Sequence, residues 1–257
     1  EKALVHYDRS ISLKPRAAEP AYSKSHALLL LGRYSEGWPL YERRFEVPDS
    51  LCARKYGDRP ILARETPPTA SVLIYAEQGL GDTLQFCRYA KILAQAGKKV
   101  TLEVQAPLVR LLSAWIPQVH IIAQGQGSTA SDVQIALLSL PNYFGTTLDN
   151  IPLAKQYLNA PSLETREWSH RVGPISKPRV GIVWKGSSTH KRNHLRSIKT
   201  ADISKIFSIE AEFHCLQKEL AMEDRWILEQ TPNLHFHGDL LTDFAQTAGL
   251  IAQMDLV

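Results

Sequence analysis

Apolar residues in this chain fall in short unbroken runs, separated by stretches with helical spacing. Ser71-Val-Leu-Ile-Tyr-Ala76 shows no polar alternation, the pattern of a strand covered on both faces in a parallel sheet. The spacing then predicts a helix over 82–96 ended by Gly97, a strand over 100–104, a helix over 107–116, and short strands near 119–122 and 133–136. Strand and helix in alternation read as a parallel α/β layer. The rhythm restarts at Arg179-Val-Gly-Ile-Val-Trp184 and runs through strands at 213–217 and 234–237 to a helix over 242–254. Asp255-Leu-Val257 reads as the opening of one more strand, so this second layer is expected to be incomplete here and to continue beyond Val257.

Residues 1–50 carry a different pattern, helical throughout and self-similar. Ala3, Tyr7, Ser10 and Pro15 are followed 34 positions later by Gly37, Tyr41, Arg44 and Asp49, and Leu31-Gly-Arg-Tyr34 precedes the second set. A period of 34, with a small residue, an aromatic four positions on and a helix-ending Pro, resembles the tetratricopeptide repeat. Small residues let two helices approach closely while the aromatic fills the groove. Arg44 stands where a small residue is usual. Units of this kind gain stability by stacking, so the expectation is a repeat remnant over 1–50, continuing an array before Glu1 and able to hold a protein partner. An unrelated helical hairpin is the plainer alternative. A connector with Pro48, Pro60, Pro67 and Pro68 follows.

The 257 residues hold 30 Lys+Arg and 26 Asp+Glu, with 44% hydrophobic residues, which excludes disordered and low-complexity chains. The longest apolar run, at 27–31, is far short of the roughly 20 residues of a membrane helix. Cys52, Cys87 and Cys215 cannot pair completely, which favours a reducing cytoplasm. The net charge of +4 hides an asymmetry: 168–201 holds eight cations and no acid, leaving the rest at −4. Focused positive charge of this kind reads as a local anion site or a solvated basic loop. Its cations are not interleaved with aromatics, which argues against nucleic acid.

The most informative stretch is Glu77-Gln-Gly-Leu-Gly-Asp82. Glycines at 79 and 81, between a strand and a helix, permit a tight turn and close backbone approach to a ligand. Glu103, 22 residues after Gly81, lies near where a ribose-binding acid of a dinucleotide fold falls. Against that reading, the third glycine is absent, and Asp82 sets a carboxylate where a pyrophosphate would sit. At the C-terminal edge of a parallel sheet, such a carboxylate suits proton abstraction from an attacking hydroxyl. Equally, Asp82 can be a helix N-cap.

Taken together, Ala76-Glu-Gln-Gly-Leu-Gly-Asp-Thr-Leu-Gln-Phe86 with Arg88-Tyr89, Val180-Gly-Ile-Val-Trp-Lys-Gly186, Arg196-Ser-Ile198, Leu216-Gln-Lys218 and Asp243-Phe244 resemble one bacterial family over nearly the whole chain. These are tetratricopeptide-repeat proteins whose C-terminal part is similar to glycosyltransferase family 9, the ADP-heptose lipopolysaccharide heptosyltransferases. The resemblance implies an α/β fold of the GT-B kind, with two Rossmann-like domains: an acceptor domain over 70–160 and a partial donor domain over 175–257. It implies inverting transfer without a metal or other cofactor, from a nucleotide-diphosphate sugar to a sugar, lipid or protein acceptor. It also implies a location in the cytoplasm or at the inner face of the inner membrane. Asp82 takes the general-base role, with Gln78, Gly79, Gly81 and Thr83 on the acceptor side. Lys185, Gly186, Arg196, Gln217 and Lys218 fall on the donor side.

The basic stretch fits that chemistry, because a Lys ammonium and loop N–H groups stabilise a departing diphosphate more in the transition state than in the ground state. It is not a P-loop, since the glycine follows the lysine. Gln217 and Lys218 can equally be a solvated strand end, and Arg196 can bind phosphate bidentately or anchor its own loop. His190 with His194, and His235 with His237, lack a completing ligand at metal spacing, so no metal site is expected. Two rivals remain: a non-catalytic interaction protein with a relic α/β part, and an oxidoreductase holding NAD(P) at the Gly79–Gly81 turn.

Overall fold

A computed structural model describes residues 1–48, 52, 54–126, 130–152, 156–186 and 193–257, and the chain divides into two compact units, Glu1–Tyr157 and Leu158–Val257. Asp49, Ser187, Ser188, His190, Lys191 and Arg192 lie outside the described residues.

The first unit opens with α1 (Lys2–Leu13), α2 (Ala18–Leu30) and α3 (Tyr34–Tyr41). α2 packs on both α1 and α3. Gly37 permits the second contact, since a Cβ there would lie 2.7 Å from Leu29 Cδ2. α3 contains Pro39, which lacks the N–H an interior helical turn requires, and the chain tightens into a 3-10 turn over Glu42–Glu46.

Four parallel strands follow: β1 (Val72–Tyr75), β2 (Val100–Val104), β3 (His120–Ala123) and β4 (Val133–Ala136), in the order β3-β2-β1-β4. Val72 is in register with Val100 on one side and Val133 on the other. β1, β2 and β4 are buried along their whole length; β1 is an unbroken apolar run, whereas β2 and β4 also bury Thr101, Glu103 and Gln134. The helix expected over 82–96 is two helices, α4 (Leu80–Phe86) and α5 (Arg88–Gln95). The chain tightens at Cys87, whose carbonyl accepts the Ala90 N–H only three residues on. Gly97, at φ +86°, ends α5, a backbone state that glycine adopts without penalty. α6 (Val109–Trp115) and the short α7 (Leu140–Phe144) complete the unit.

The second unit contains α8 (Ser162–Val172), β5 (Arg179–Ile182), α9 (Thr200–Ile203), β6 (Glu212–Cys215), α10 (Trp226–Gln230), β7 (Leu234–Phe236) and α11 (Phe244–Ile251). Its strands are parallel in the order β5-β6-β7, and Leu256 forms a further parallel bridge with Val180. β6 already occupies one edge of β5, so this bridge takes the other. The resulting order matches the first sheet, each reversing direction beside its first strand. α11 begins later than the spacing suggests because Asp243 caps it, Oδ1 accepting the Gln246 N–H at 3.0 Å. Ile182, Trp184, Phe207, Phe213, Cys215, Ile227 and Leu234 build the core, and Trp168 anchors α8 to α11 through Nε1–H donation to Gln246 Oε1 at 2.8 Å.

Candidate functional site

In doubly wound sheets, ligands bind at the C-terminal ends of strands where the strand order reverses. In the first sheet that point lies between β1 and β4, and the loop leaving β1 is Ala76–Gly79. α4 begins at Leu80 with Gly79 as its N-cap, so Asp82 stands within the first turn. Its Oδ2 accepts the Gly79 N–H at 3.0 Å, the side-chain half of a capping box. Asp82 is half-buried and Gly79 and Gly81 are exposed. Among the described residues, no protein donor reaches its other carboxylate oxygen. Asp82 therefore caps the loop and still presents a carboxylate to the surface.

The neighbouring side chains hold the loop. Thr83 is buried, donating to Gln105 Oε1 at 2.9 Å, and Gln105 Nε2 donates to the Gln78 carbonyl at 2.6 Å. Gln78 donates its amide to the Tyr41 hydroxyl. Glu77 is buried against Arg44 at 2.9 Å; burial pushes its carboxyl up, and the guanidinium opposes this. Thus Gln105 and Thr83 hold the loop backbone, Gln78 ties the loop to Tyr41, and Gly79 and Gly81 lie on its open side. Glu103 is buried in β2, paired with Lys55 at 3.3 Å and taking a hydrogen bond from Tyr56. Those bonds occupy the acid that a ribose would need.

In the second unit, Lys185, Gly186 and Arg196 come together. With Val183, Trp184 and Ile198 they line an open depression of about 300 Å³ at the exit of β5. A Cβ on Gly186 would lie 2.6 Å from Arg196 Nη2, so glycine admits the guanidinium against the backbone. The Lys185 ammonium pairs with the buried Asp224, which also accepts a hydrogen bond from the Thr200 hydroxyl. Gln217 is buried and its Oε1 accepts the Trp184 and Lys185 N–H groups at 2.9 and 3.0 Å. Lys218 is exposed and outside the depression.

Gln105 and Asp224 carry no signal in the sequence pattern, and Tyr41 is visible there only as the aromatic of the repeat. Arg44 was visible only as a departure from the repeat pattern. A separate cavity of about 250 Å³ beside β4 includes Arg54, Arg64, Phe45 and Tyr143 but none of the predicted site residues. His214 in β6 pairs with His235 in β7, and both rings stack on His237 just beyond β7, with His214 Nδ1 and His237 Nε2 3.0 Å apart. Among the described residues, no group of three potential ligands converges on a metal position.

No protein-family model matches the chain. Protein FlbA of Caulobacter vibrioides is 23% identical over 183 residues, covering 64% of this chain and 31% of FlbA. The iron-containing dodecameric glycosyltransferase TibC of enterotoxigenic E. coli is 15% identical, covers 74% of this chain and 57% of its own, and superimposes with a TM-score of 0.45. The chain thus spans about a third of FlbA and little more than half of TibC. ADP-heptose LPS heptosyltransferase II of E. coli is 13% identical, with 72% of this chain and 78% of that one covered at a TM-score of 0.50. Among the described residues of this chain, no helix is long and apolar enough to cross a membrane. With its two parallel sheets and helical N-terminal segment, the chain has a GT-B-like α/β fold.

Proposed function

We propose that this chain is the glycosyltransferase part of a tetratricopeptide-repeat protein. In this reading residues 1–50 are a repeat remnant, 70–160 carry the acceptor and 175–257 the nucleotide-sugar donor. The acceptor hydroxyl attacks the anomeric carbon on the face opposite the leaving group. The carbon–oxygen bond to the diphosphate breaks, the nucleoside diphosphate departs, and the hydroxyl proton passes to Asp82. Inversion at the anomeric carbon follows from that single displacement.

The observation that carries this reading is the half-exposed Asp82 carboxylate, on a glycine-lined bend at the switch point of a sheet with a heptosyltransferase-like fold. Asp82→Asn keeps the Gly79 hydrogen bond and removes the base. Transfer from ADP- or UDP-sugars is expected to fall about 10²- to 10⁴-fold with unchanged folding; near-parental transfer would falsify the general-base role.

A second reading, a non-catalytic interaction protein with a relic α/β part, is favoured by the engagement of Lys185 with Asp224 and of Gln217 with the loop backbone. Calorimetry with ADP- and UDP-sugars separates the two. Measurable binding supports the transferase, and its absence supports the scaffold.

A further inference from the structure

Arg44 is fully buried, as is the side chain of Glu77. The guanidinium lies 4.1 Å from the Phe45 ring centroid and forks outward from there. Nη1 donates to Glu42 Oε1 at 2.9 Å and to the Tyr41 carbonyl at 3.2 Å. Nη2 donates to Glu77 Oε1 at 2.9 Å and to Ser139 Oγ at 2.7 Å, and Ser139 in turn donates to Glu42 Oε2 at 2.9 Å. Glu77 belongs to the loop leaving β1 and Ser139 to the turn leaving β4. One side chain from the helical segment therefore spans both walls of the switch point. Tyr41, three residues earlier, takes the next loop residue, Gln78.

We propose that Arg44 is a positioning residue for the Asp82 loop, so that the helical segment sets the loop geometry rather than merely preceding it. Two adjacent loop residues, Glu77 and Gln78, are gripped from 3-10 turn and helix positions of that segment. The planar guanidinium fork suits a carboxylate and a hydroxyl at once, a geometry that a lysine ammonium does not reproduce. This gives residue 44 a role where the repeat pattern favours a small side chain. The catalytic consequence rests on the transferase reading, whereas the loop geometry does not.

The test compares the parent chain with Arg44→Lys and with the double variant Arg44→Met/Glu77→Met, which removes both buried charges and leaves apolar groups of similar length. Amide hydrogen exchange at Gly79 and Thr83, whose N–H groups donate to Asp82 Oδ2 and the Gly79 carbonyl, is read against Leu73 and Ile74 in β1. Both variants are expected to exchange at least about tenfold faster in the loop, with β1 protection unchanged. With ADP- or UDP-sugar, kcat is expected to fall about tenfold or more while the donor KM stays put. Parental loop exchange in folded variants would overturn the proposal, as would loss of folding in both, which would assign the network to stability alone. If the parent transfers no sugar, the exchange result still decides the positioning role, so the two readings fail separately.

Discussion

Gln217 and Lys185 meet where β6 and β5 end, the Gln217 side-chain carbonyl accepting the Lys185 N–H at 3.0 Å across 32 positions of sequence. The same oxygen takes the Trp184 N–H at 2.9 Å, and Trp184 is buried. One amide thus fixes the path by which the chain leaves β5 for the basic stretch.

Replacing that amide tests the arrangement directly. Gln217→Leu leaves two N–H groups without their acceptor, a loss of about 1–3 kcal/mol. Gln217→Glu keeps an acceptor oxygen and is expected to retain most of the stability. Urea unfolding with an unchanged m-value is the measurement.

Lys185 has two jobs if it also meets a donor phosphate. Its ammonium neutralises Asp224, whose side chain is 2% exposed. Lys185→Met strands that carboxylate and is expected to cost near the low end of about 3–5 kcal/mol, because Lys185 itself is partly exposed. Adding Asp224→Leu should recover much of the loss, since the two positions are coupled. A double variant no more stable than Lys185→Met would refute the pairing.

The histidine stack makes the second unit sensitive to acid. Burial lowers both His214 and His237 from the ordinary 6.5 to about 4, aided for His214 by the adjacent His237, His235 and Arg179 and for His237 by His235 and Arg171. Both are neutral in the fold, while the unfolded chain protonates near 6.5. Stability is therefore fully present above about pH 6.5 and declines as pH falls toward 4, because the unfolded state then binds more protons. Melting temperatures from pH 7.5 to 4.5 should fall, and the slope should shrink in a His214→Phe variant.

Two glycines are expected to respond differently to alanine. At Gly249 a Cβ would lie 2.7 Å from Trp168 Cδ1 and 2.9 Å from the Glu164 backbone carbon, so α8 and α11 must separate. A cost of about 1–3 kcal/mol follows. At Gly186 the clash is with the flexible end of Arg196, which can swing away. Gly186→Ala should leave stability nearly unchanged and, on the proposed donor-side assignment, weaken nucleotide binding, read by calorimetry.

β1 was legible because a parallel strand covered on both faces demands uninterrupted apolar side chains, and 72–75 has them; 100–104 and 133–136 keep apolar residues at alternate positions around the buried Thr101, Glu103 and Gln134. Gly97 was legible as a stop because its role is local to the backbone. The glycine-rich bend with its carboxylate was visible for the same reason. The division of the 82–96 helix at Cys87 was not, since it arises from a shift in hydrogen-bond register within one turn.

Composition and order along the chain by themselves determined the two α/β layers, the helical opening and the acid-free stretch, because each depends on neighbours within a few residues. Only the tertiary structure decided what the charges do. Arg44 meets Glu77 and Ser139 from 33 and 95 positions away, and Lys185 finds Asp224 at a separation of 39. A buried charge must be neutralised where the fold happens to deliver a partner, and no periodicity in the sequence encodes which partner that is.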